Sequence, residues 1–208
     1  MTAQAGSITP SFRAERRSLR QRVRAERRAL PAAQRAAADL AIAAHIRHLD
    51  VFRSARRVAI FLAFDGEPAV TRVIEAAARA GKRLYAPVIT RSQMSFAELD
   101  LGARLGTNFF GIREPDPANW IDPRRLDLVL TPLVAFDDRG VRIGVGRGYY
   151  DRCFRFLRTR SGWSRPKLLG VAYDLQHVPA IAPQHWDVPL WGAVTETGVH
   201  RFERGSDP

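Results

Sequence analysis

An uninterrupted apolar run from Val58 to Phe64 constrains the fold of this chain more than any other segment. A strand without polar positions must be covered on both faces, as strands are in the parallel sheets of α/β proteins. The run is followed by a turn at residues 65–68, a helical pattern that ends near Gly81, and a second strand pattern from Arg83 to Val88. This order of strand, helix and strand predicts an α/β protein with a largely parallel sheet.

Two helices are predicted before this unit. The first is basic and amphipathic, and its apolar stripe consists of Phe12, Leu19, Val23 and Leu30. Pro31 interrupts it, and a second helical pattern runs from Ala32 to Leu49. The side chains expected to face the core from the second helix are Leu40, Ala43, Ala44 and Ile46.

Four more strands are predicted, at Ser95 to Leu99, Leu126 to Phe136, Lys167 to Tyr173 and Ala193 to Thr195. The stretch between Leu99 and Leu126 is rich in Gly, Pro and Asp, so we interpret it as an ordered surface loop. The length of 208 residues suits one domain. We expect a flexible tail over residues 1–10, a single domain over 11–200 and a C-terminal tail over 201–208.

A glycine-rich segment, GVGRGYYD at residues 144–151, joins a strand pattern to a helical pattern that starts near Tyr149. Glycines let backbone N–H groups approach an anion, and a helix N-terminus adds partial positive charge. Arg147 supplies a cation for phosphate, and Asp151 supplies a carboxylate of the kind that Mg²⁺ prefers. The spacing matches neither the dinucleotide fingerprint nor the P-loop. From these residues alone, both a phosphate-binding loop and a purely structural turn remain open.

The net charge of +12 is the excess of 33 basic over 21 acidic residues, and only Lys82 and Lys167 among the basic residues are lysines. The arginines are spread along the chain, with one concentration from Arg13 to Arg35, so no RNA- or DNA-binding element stands out, and no nucleic-acid partner is expected. The single cysteine, Cys153, is interpreted as a small buried apolar residue. Because no apolar run reaches the length of a membrane span and no secretory signal is recognisable, a cytoplasmic protein without membrane contact is expected.

Three segments together resemble the 5-formyltetrahydrofolate cyclo-ligase family, also called methenyltetrahydrofolate synthetases: FLAFDGE, PLVAFDDRGVRIGVGRGYYDR and VAYDLQHVPAIAPQHWDVPL. The similarity runs in order from about Arg16 to Glu196. It implies a three-layer α/β/α fold related to the sugar-phosphate isomerase and CoA-transferase group. It also implies an enzyme that uses ATP and Mg²⁺ to convert 5-formyltetrahydrofolate into 5,10-methenyltetrahydrofolate, releasing ADP and phosphate. A monomer is expected. ATP would phosphorylate the formyl oxygen, a poor leaving group, before N10 closes the ring.

The resemblance also assigns site residues. ATP is expected on two segments, whose residues are Arg16, Arg17, Ser18, Leu19 and Arg20 in the first and Arg142, Ile143, Gly144, Val145, Gly146, Arg147, Gly148, Tyr149 and Tyr150 in the second. The folate is expected to contact Leu62, Glu67, Val145, Gly146, Arg147, Gly148 and Tyr149. Arg147 and Tyr149 are the expected catalytic residues, and Asp151 and Asp187 are expected to hold Mg²⁺. The neighbouring arginines Arg22, Arg24 and Arg27 lie outside the matched pattern, and replacement of Arg24 or Arg27 is expected to have little effect on the KM for ATP.

Alternatives remain for these assignments. Glu67 could serve only to favour a helix N-terminus, Asp187 could be an ordinary turn acid, and Arg16 and Arg20 could belong to a solvated helix face. The residues at four positions depart from those usual in the family, namely Arg16, Leu133, Val145 and Arg147. A relative that binds ATP and Mg²⁺ with another substrate or none therefore remains an alternative. A basic nucleic-acid-binding module is a further one.

Overall fold

A computed structural model of the chain describes residues 12–102, 104–115, 119–158 and 165–202. The expected tail over residues 1–10 lies outside these ranges. The α-helices in the described ranges are α1 (Phe12–Ala29), α2 (Ala32–His48), α3 (Asp50–Ser54), α4 (Thr71–Arg79) and α5 (Tyr149–Cys153). Short 3-10 helices occupy Pro123–Arg125, Arg155–Leu157 and Asp174–Gln176. None of the described helices combines the length and apolarity needed to cross a membrane.

The strands are, in chain order, β1 (Arg57–Ala59), β2 (Arg83–Ile89), β3 (Met94–Glu98), β4 (Leu105–Thr107), β5 (Arg113–Pro115), β6 (Trp120–Ile121), β7 (Leu128–Pro132), β8 (Ala135–Phe136), β9 (Arg142–Ile143), β10 (Lys167–Val171), β11 (Gly192–Thr195) and β12 (Gly198–Arg201). Eight of them form one sheet in the order β12-β11-β10-β7-β1-β2-β3-β6. The five strands from β11 to β2 in this order run parallel, whereas the pairs β11–β12, β2–β3 and β3–β6 are antiparallel. The predicted α/β class with a largely parallel sheet is confirmed.

Side chains that alternate along the parallel strands enter two different cores. In β1, for example, Val58 packs in a cluster with residues of α2, α3 and α4, whereas Ala59 packs in a second cluster with Phe154 and residues of α5. Helices therefore lie against both faces of the sheet. The relation to the sugar-phosphate isomerase and CoA-transferase group stays a prediction.

The buried face of α2 differs from the predicted one. Ala43 and Ile46 are buried as expected, but Leu40 is 56% exposed and Ala44 is also exposed, while Ile42 is buried. The helix is rich in alanine, which is small and apolar on every face. Its sequence therefore shows little contrast between an inner and an outer side.

Two regions hold more structure than predicted. The stretch interpreted as a surface loop contains the β4–β5 hairpin and the edge strand β6. Strands of two or three residues are too short to show an alternating pattern, so they leave no recognisable signal in the sequence. At the other end of the chain, the expected domain boundary at residue 200 falls inside β12, and Phe202 is buried in the core.

Candidate active site

A cleft of about 560 Å³ opens where the parallel strands end. Its walls include Phe61 and Leu62 after β1, Ile89 at the end of β2, and Pro132 and Leu133 at the end of β7. Ligands of open α/β sheets collect at the carboxyl ends of strands, and this volume suits a small molecule. The cleft is therefore the candidate active site.

Helix α1 forms a basic wall of this cleft through Arg13, Arg16, Arg17, Arg20 and Arg24. Arg20 Nε donates a hydrogen bond of 2.9 Å to the carbonyl oxygen of Gly144, which attaches the helix to the glycine-rich segment. Of the five ATP contacts predicted on this helix, Arg16, Arg17 and Arg20 line the cleft. Leu19 packs instead in the cluster that contains Val23 and Ile143, and Ser18 does not line the cleft.

Asp65 holds the same helix at a second place. Its carboxylate pairs with Arg24 at 2.8 Å, with Arg27 at 3.3 Å and with Arg28 at 2.7 Å. Arg27 is fully buried, and its guanidinium also donates to the carbonyl oxygens of Leu133 at 3.2 Å and Asp65 at 2.9 Å. Arg24 thus lines the cleft and Arg27 joins α1 to two of its loops, while the expectation that the two residues matter little for ATP stays a prediction.

The glycine-rich segment faces the open cleft. Residues 144–147 are exposed, and residues 142–151 all line the cleft. Gly146 and Gly148 have φ values of +102° and +62°, a region that side-chain-bearing residues rarely adopt, and Gly148 directly precedes α5. A Cβ atom on Gly144 would meet no atom within 4 Å, so the backbone there is open to a ligand.

Asp151 and Asp187, the two predicted Mg²⁺ ligands, both line the cleft. Asp151 Oδ1 accepts hydrogen bonds from Arg142 Nη2 at 2.8 Å and from the backbone N–H of Val188 at 3.1 Å. Asp187 Oδ2 is 2.5 Å from Arg16 Nη2. In each carboxylate these contacts fall on one oxygen and leave the other for a ligand. No three metal-ligating side chains cluster in the described ranges, so Mg²⁺ here would need phosphate oxygens and water as further ligands.

Glu67 lies on the side of the cleft that was predicted to bind the folate, together with Leu62. Its Oε2 accepts a hydrogen bond from the N–H of Phe64 at 3.2 Å. Desolvation raises the pKa of Glu67 to about 7, against the attraction of Arg27. The Tyr150 hydroxyl is buried with no hydrogen-bond partner among the described residues, and burial raises its pKa, with the charge of Glu67 adding to the rise. This hydroxyl therefore remains a proton donor on the Glu67 side.

Several lining residues were missed from the sequence because they are apolar and belong to no motif; they include Phe61, Phe64, Ile89, Phe110, Ile112 and Trp186. Phe110 lies in the β4–β5 hairpin, which was interpreted as a plain loop. The guanidinium of Arg147 is 5.4 Å from the centre of the Phe110 ring, and the Tyr149 hydroxyl donates to the Thr90 carbonyl oxygen at 3.2 Å. These contacts place the two predicted catalytic side chains, Arg147 and Tyr149, at an apolar wall of the cleft.

Comparisons with known proteins identify the family. The protein-family model described as the 5-formyltetrahydrofolate cyclo-ligase family matches residues 12–196. A 5-formyltetrahydrofolate cyclo-ligase of Haemophilus influenzae is 33% identical over 184 residues, which are 85% of this chain and 95% of that protein. One of Escherichia coli is 39% identical over 152 residues, which are 70% of this chain and 80% of that protein.

Among solved structures, the NMR structure of Aquifex aeolicus 5,10-methenyltetrahydrofolate synthetase matches with a TM-score of 0.79 and 28% sequence identity, covering 93% of this chain and 95% of that one. The match to the family model includes every site residue predicted from the sequence, from Arg16 to Asp187. The chain is therefore an enzyme that belongs to the 5-formyltetrahydrofolate cyclo-ligase family.

Proposed function

We propose that this enzyme converts 5-formyltetrahydrofolate into 5,10-methenyltetrahydrofolate and uses Mg-ATP, which leaves as ADP and phosphate. The observation that carries the proposal is the make-up of one cleft. It is lined by the arginines of α1 and the glycine-rich segment, which suit a triphosphate, and also by Glu67 with apolar side chains, which suit a pterin. The names of the relatives support the same conversion.

The triphosphate end of ATP would lie between α1 and the glycine-rich segment. Arg16, Arg17 and Arg20 offer charged donors, and the exposed backbone at residues 144–147 can approach phosphate oxygens closely. Asp151 and Asp187 would hold Mg²⁺, which would neutralise charge on the phosphates when bound. To do so, Asp187 would share its carboxylate between the metal and Arg16.

The folate would lie against Leu62 and Glu67. The aminopyrimidinone edge of a pterin carries several N–H donors, and an ionised carboxylate accepts two of them. The Tyr150 hydroxyl, a buried donor without a partner among the described residues, would find an acceptor on the same ligand. Apolar residues such as Phe61 and Phe110 would cover the faces of its rings.

The reaction needs one activation and one ring closure. The formyl oxygen attacks the γ-phosphorus of ATP, and the bond from that phosphorus to the ADP oxygen breaks. N10 then attacks the formyl carbon and loses its proton, and the carbon–oxygen bond breaks with its electron pair leaving on phosphate. The protein mainly positions the reactants and stabilises charge. Arg147, whose guanidinium is always protonated, would stabilise the transferred phosphoryl group, and Tyr149 would hold the folate in line with it.

A spectrophotometric assay tests this proposal. Purified protein is mixed with 5-formyltetrahydrofolate and Mg-ATP, and formation of the methenyl product is followed in the near ultraviolet. We expect product only when ATP, folate and protein are all present. ATP hydrolysis that does not depend on the folate, without methenyl product, would instead favour a relative with a different substrate. If neither activity is found, and the protein binds nucleic acid in a salt-dependent way without competition from ATP, the nucleic-acid-binding module is favoured instead.

A further inference from the structure

Three arginines on one face of α1 reach three different parts of the active-site cleft. They are spaced four residues apart, so they lie on one stripe of the helix that is about 12 Å long: Arg16, Arg20 and Arg24. Their partners are the carboxylate of Asp187, the carbonyl oxygen of Gly144 and the carboxylate of Asp65. The helix thus connects the proposed metal carboxylate, the glycine-rich segment and the loop that follows β1.

The loop after β1 turns at Asp65 in a conformation that depends on α1. Asp65 has a φ of +53° and Gly66 one of +76°. A residue with a side chain rarely adopts such a φ, and it persists there when surrounding contacts hold it. The carboxylate pairs with Arg24, Arg27 and Arg28 of α1, and the carbonyl oxygen of the same residue accepts a hydrogen bond from Arg27 Nη2 at 2.9 Å. Movement of α1 would therefore release this turn.

The same turn presents Glu67 to the folate side of the cleft. The N–H of Glu67 donates to the carbonyl oxygen of Phe64 at 3.0 Å, and the N–H of Phe64 donates to Glu67 Oε2. The carboxylate therefore closes the turn whose centre is Asp65 and Gly66. Desolvation raises the pKa of Glu67, and the positive charge of Arg27 opposes this rise. Both the position and the charge of the folate-side carboxylate consequently depend on where α1 lies.

The helix itself is held by few buried contacts. Among its 18 residues, all of which the structure describes, Val23 and Arg27 are buried. Val23 packs in a small cluster with Val134 and Ile143. The position of α1 therefore depends strongly on its charged contacts. Phosphates of ATP bound along the arginine stripe would add further contacts of this kind and hold the helix against the cleft.

We propose that Asp65 is a positioning residue that couples the two substrate sites of the proposed function, on which this inference rests. Through Arg24 and Arg27 it joins the helix that binds ATP to the turn that presents Glu67 to the folate. ATP and the folate both favour the same position of α1, and a ligand shifts an equilibrium toward the arrangement that it binds better. Mg-ATP therefore strengthens binding of the folate, and the folate strengthens binding of Mg-ATP by the same factor.

The test is a calorimetric titration of the protein with 5-formyltetrahydrofolate. It is done with and without Mg²⁺ and a saturating non-hydrolysable ATP analogue that carries an imido group between the β- and γ-phosphorus. We expect the analogue to lower the Kd of the wild type for the folate about fivefold or more. Asp65→Asn removes the charge that pairs with the three arginines, while asparagine keeps the shape and tolerates a left-handed backbone. This variant should lose most of the fivefold effect.

Two further variants sharpen the test. Asp50→Asn is the matched control, since Asp50 on α3 is 95% exposed and its ion pair with Arg53 at 4.0 Å lies outside the cleft. It should keep the effect of the analogue. Arg24→Gln removes one contact to Asp65 from a side chain that is 34% exposed, and it should lose part of the effect. If Asp65→Asn does not fold, the proposal stands or falls with Arg24→Gln.

Equal Kd values of the wild type with and without the analogue would overturn the proposal. So would an Asp65→Asn protein that binds each substrate alone more weakly but keeps the wild-type ratio, since that would show a purely structural role. Conversion of the folate in the spectrophotometric assay is measured separately. If the wild type forms the methenyl product while the analogue leaves the Kd for the folate unchanged, the proposed function stands and the coupling does not. If the wild type binds neither substrate, both are overturned.

Discussion

Arg16 and Asp187, which lie 171 positions apart in the sequence, form an ion pair of 2.5 Å between Nη2 and Oδ2. Both side chains are nearly buried, with exposures of 11% and 12%. The proposed function assigns Arg16 to ATP and Asp187 to Mg²⁺, so Mg-ATP would bring each of them a new partner of opposite charge. Arg142 and Asp151 form a second such pair at 2.8 Å. The charged groups of the site thus pair with one another.

Replacing the arginines of α1 tests their assignment to ATP. Arg16→Ala and Arg20→Ala should each raise the KM for ATP by roughly tenfold or more, because each removes a charged hydrogen bond to phosphate. Arg22→Ala is the matched control on the same helix, since Arg22 is 58% exposed and pairs with Glu26 across one helical turn. Steady-state kinetics at saturating folate provide the measurement. Similar small effects at all three positions would contradict the assignment of Arg16 and Arg20 to ATP.

The two carboxylates are tested by Asp151→Asn and Asp187→Asn, which remove a charge and keep the shape. Each variant should need a higher Mg²⁺ concentration for half-maximal turnover, because Mg²⁺ prefers anionic oxygens. Asp138→Asn is a control, since Asp138 is 75% exposed and pairs with His177 outside the cleft. Wild-type behaviour of Asp187→Asn across a Mg²⁺ titration would show that Asp187 is not a metal ligand.

Glu67→Gln tests the folate side and its pH dependence. The ionised carboxylate accepts N–H groups best, and the pKa of Glu67 is raised to about 7, so the wild-type KM for the folate should fall as the pH rises through about 7. In Glu67→Gln this fall in KM should be absent. Above pH ~7 the KM of the variant for the folate should be about 10- to 150-fold higher than that of the wild type, and the KM for ATP should change little. An equal rise for both substrates would indicate a structural role.

The same raised pKa predicts an effect on stability. In the folded state Glu67 has a pKa of about 7 and holds its proton up to about that pH, whereas the ordinary pKa of a glutamate is 4.5. The folded state therefore binds more protons than the unfolded state between these values, and the free energy of unfolding should fall as the pH rises across this window. Urea unfolding of the wild type and Glu67→Gln at several pH values measures this. The variant should lack this part of the fall, and an identical pH profile would contradict the raised pKa.

Burial distinguishes two arginines that pair with Asp65. Arg27→Met should lower the free energy of unfolding by about 1–3 kcal/mol, because it removes the hydrogen bonds of a buried guanidinium to the carbonyl oxygens of Leu133 and Asp65, although the Leu133 oxygen keeps Gln176 Nε2 as a donor at 2.8 Å. Arg28→Met removes an ion pair of 2.7 Å from the same carboxylate, but Arg28 is 54% exposed, so about 1 kcal/mol or less should be lost. Urea unfolding compares the two variants. Equal losses would show that the ion pair with Asp65, rather than the buried contacts, stabilises α1.

The turn between β8 and β9 leads into the glycine-rich segment and depends on Gly140. Both Gly140 and Gly81 have positive φ, at +75° and +66°. A Cβ atom on Gly140 would lie 2.8 Å from Phe202 Cδ2, whereas one on Gly81 would meet nothing within 4 Å. Gly140→Ala should therefore cost about 1–3 kcal/mol more in unfolding free energy than Gly81→Ala, since overpacking adds to the shared backbone strain. Equal losses would show that Phe202 adjusts freely.

What the sequence alone determined is local. The apolar run at Val58 indicated a covered parallel strand because its pattern reflects burial on both faces. The glycine-rich segment at residues 144–151 indicated a turn before a helix, because glycine reaches backbone angles that other residues rarely adopt, and it left a phosphate-binding loop as one of two interpretations. Both features depend on neighbours along the chain, and the resemblance to a family added Glu67 and Asp187.

Tertiary structure decided which side chains from distant segments meet. Arg22 and Arg27 look alike in a basic helix, yet only the path of the chain past Asp65 and Leu133 buries Arg27. Phe110 lines the cleft because the β4–β5 hairpin folds toward it, and strands so short leave no pattern in the sequence. Contacts of this kind depend on how loops pack against the sheet, and that packing is set by residues far away in the chain rather than by neighbours along it.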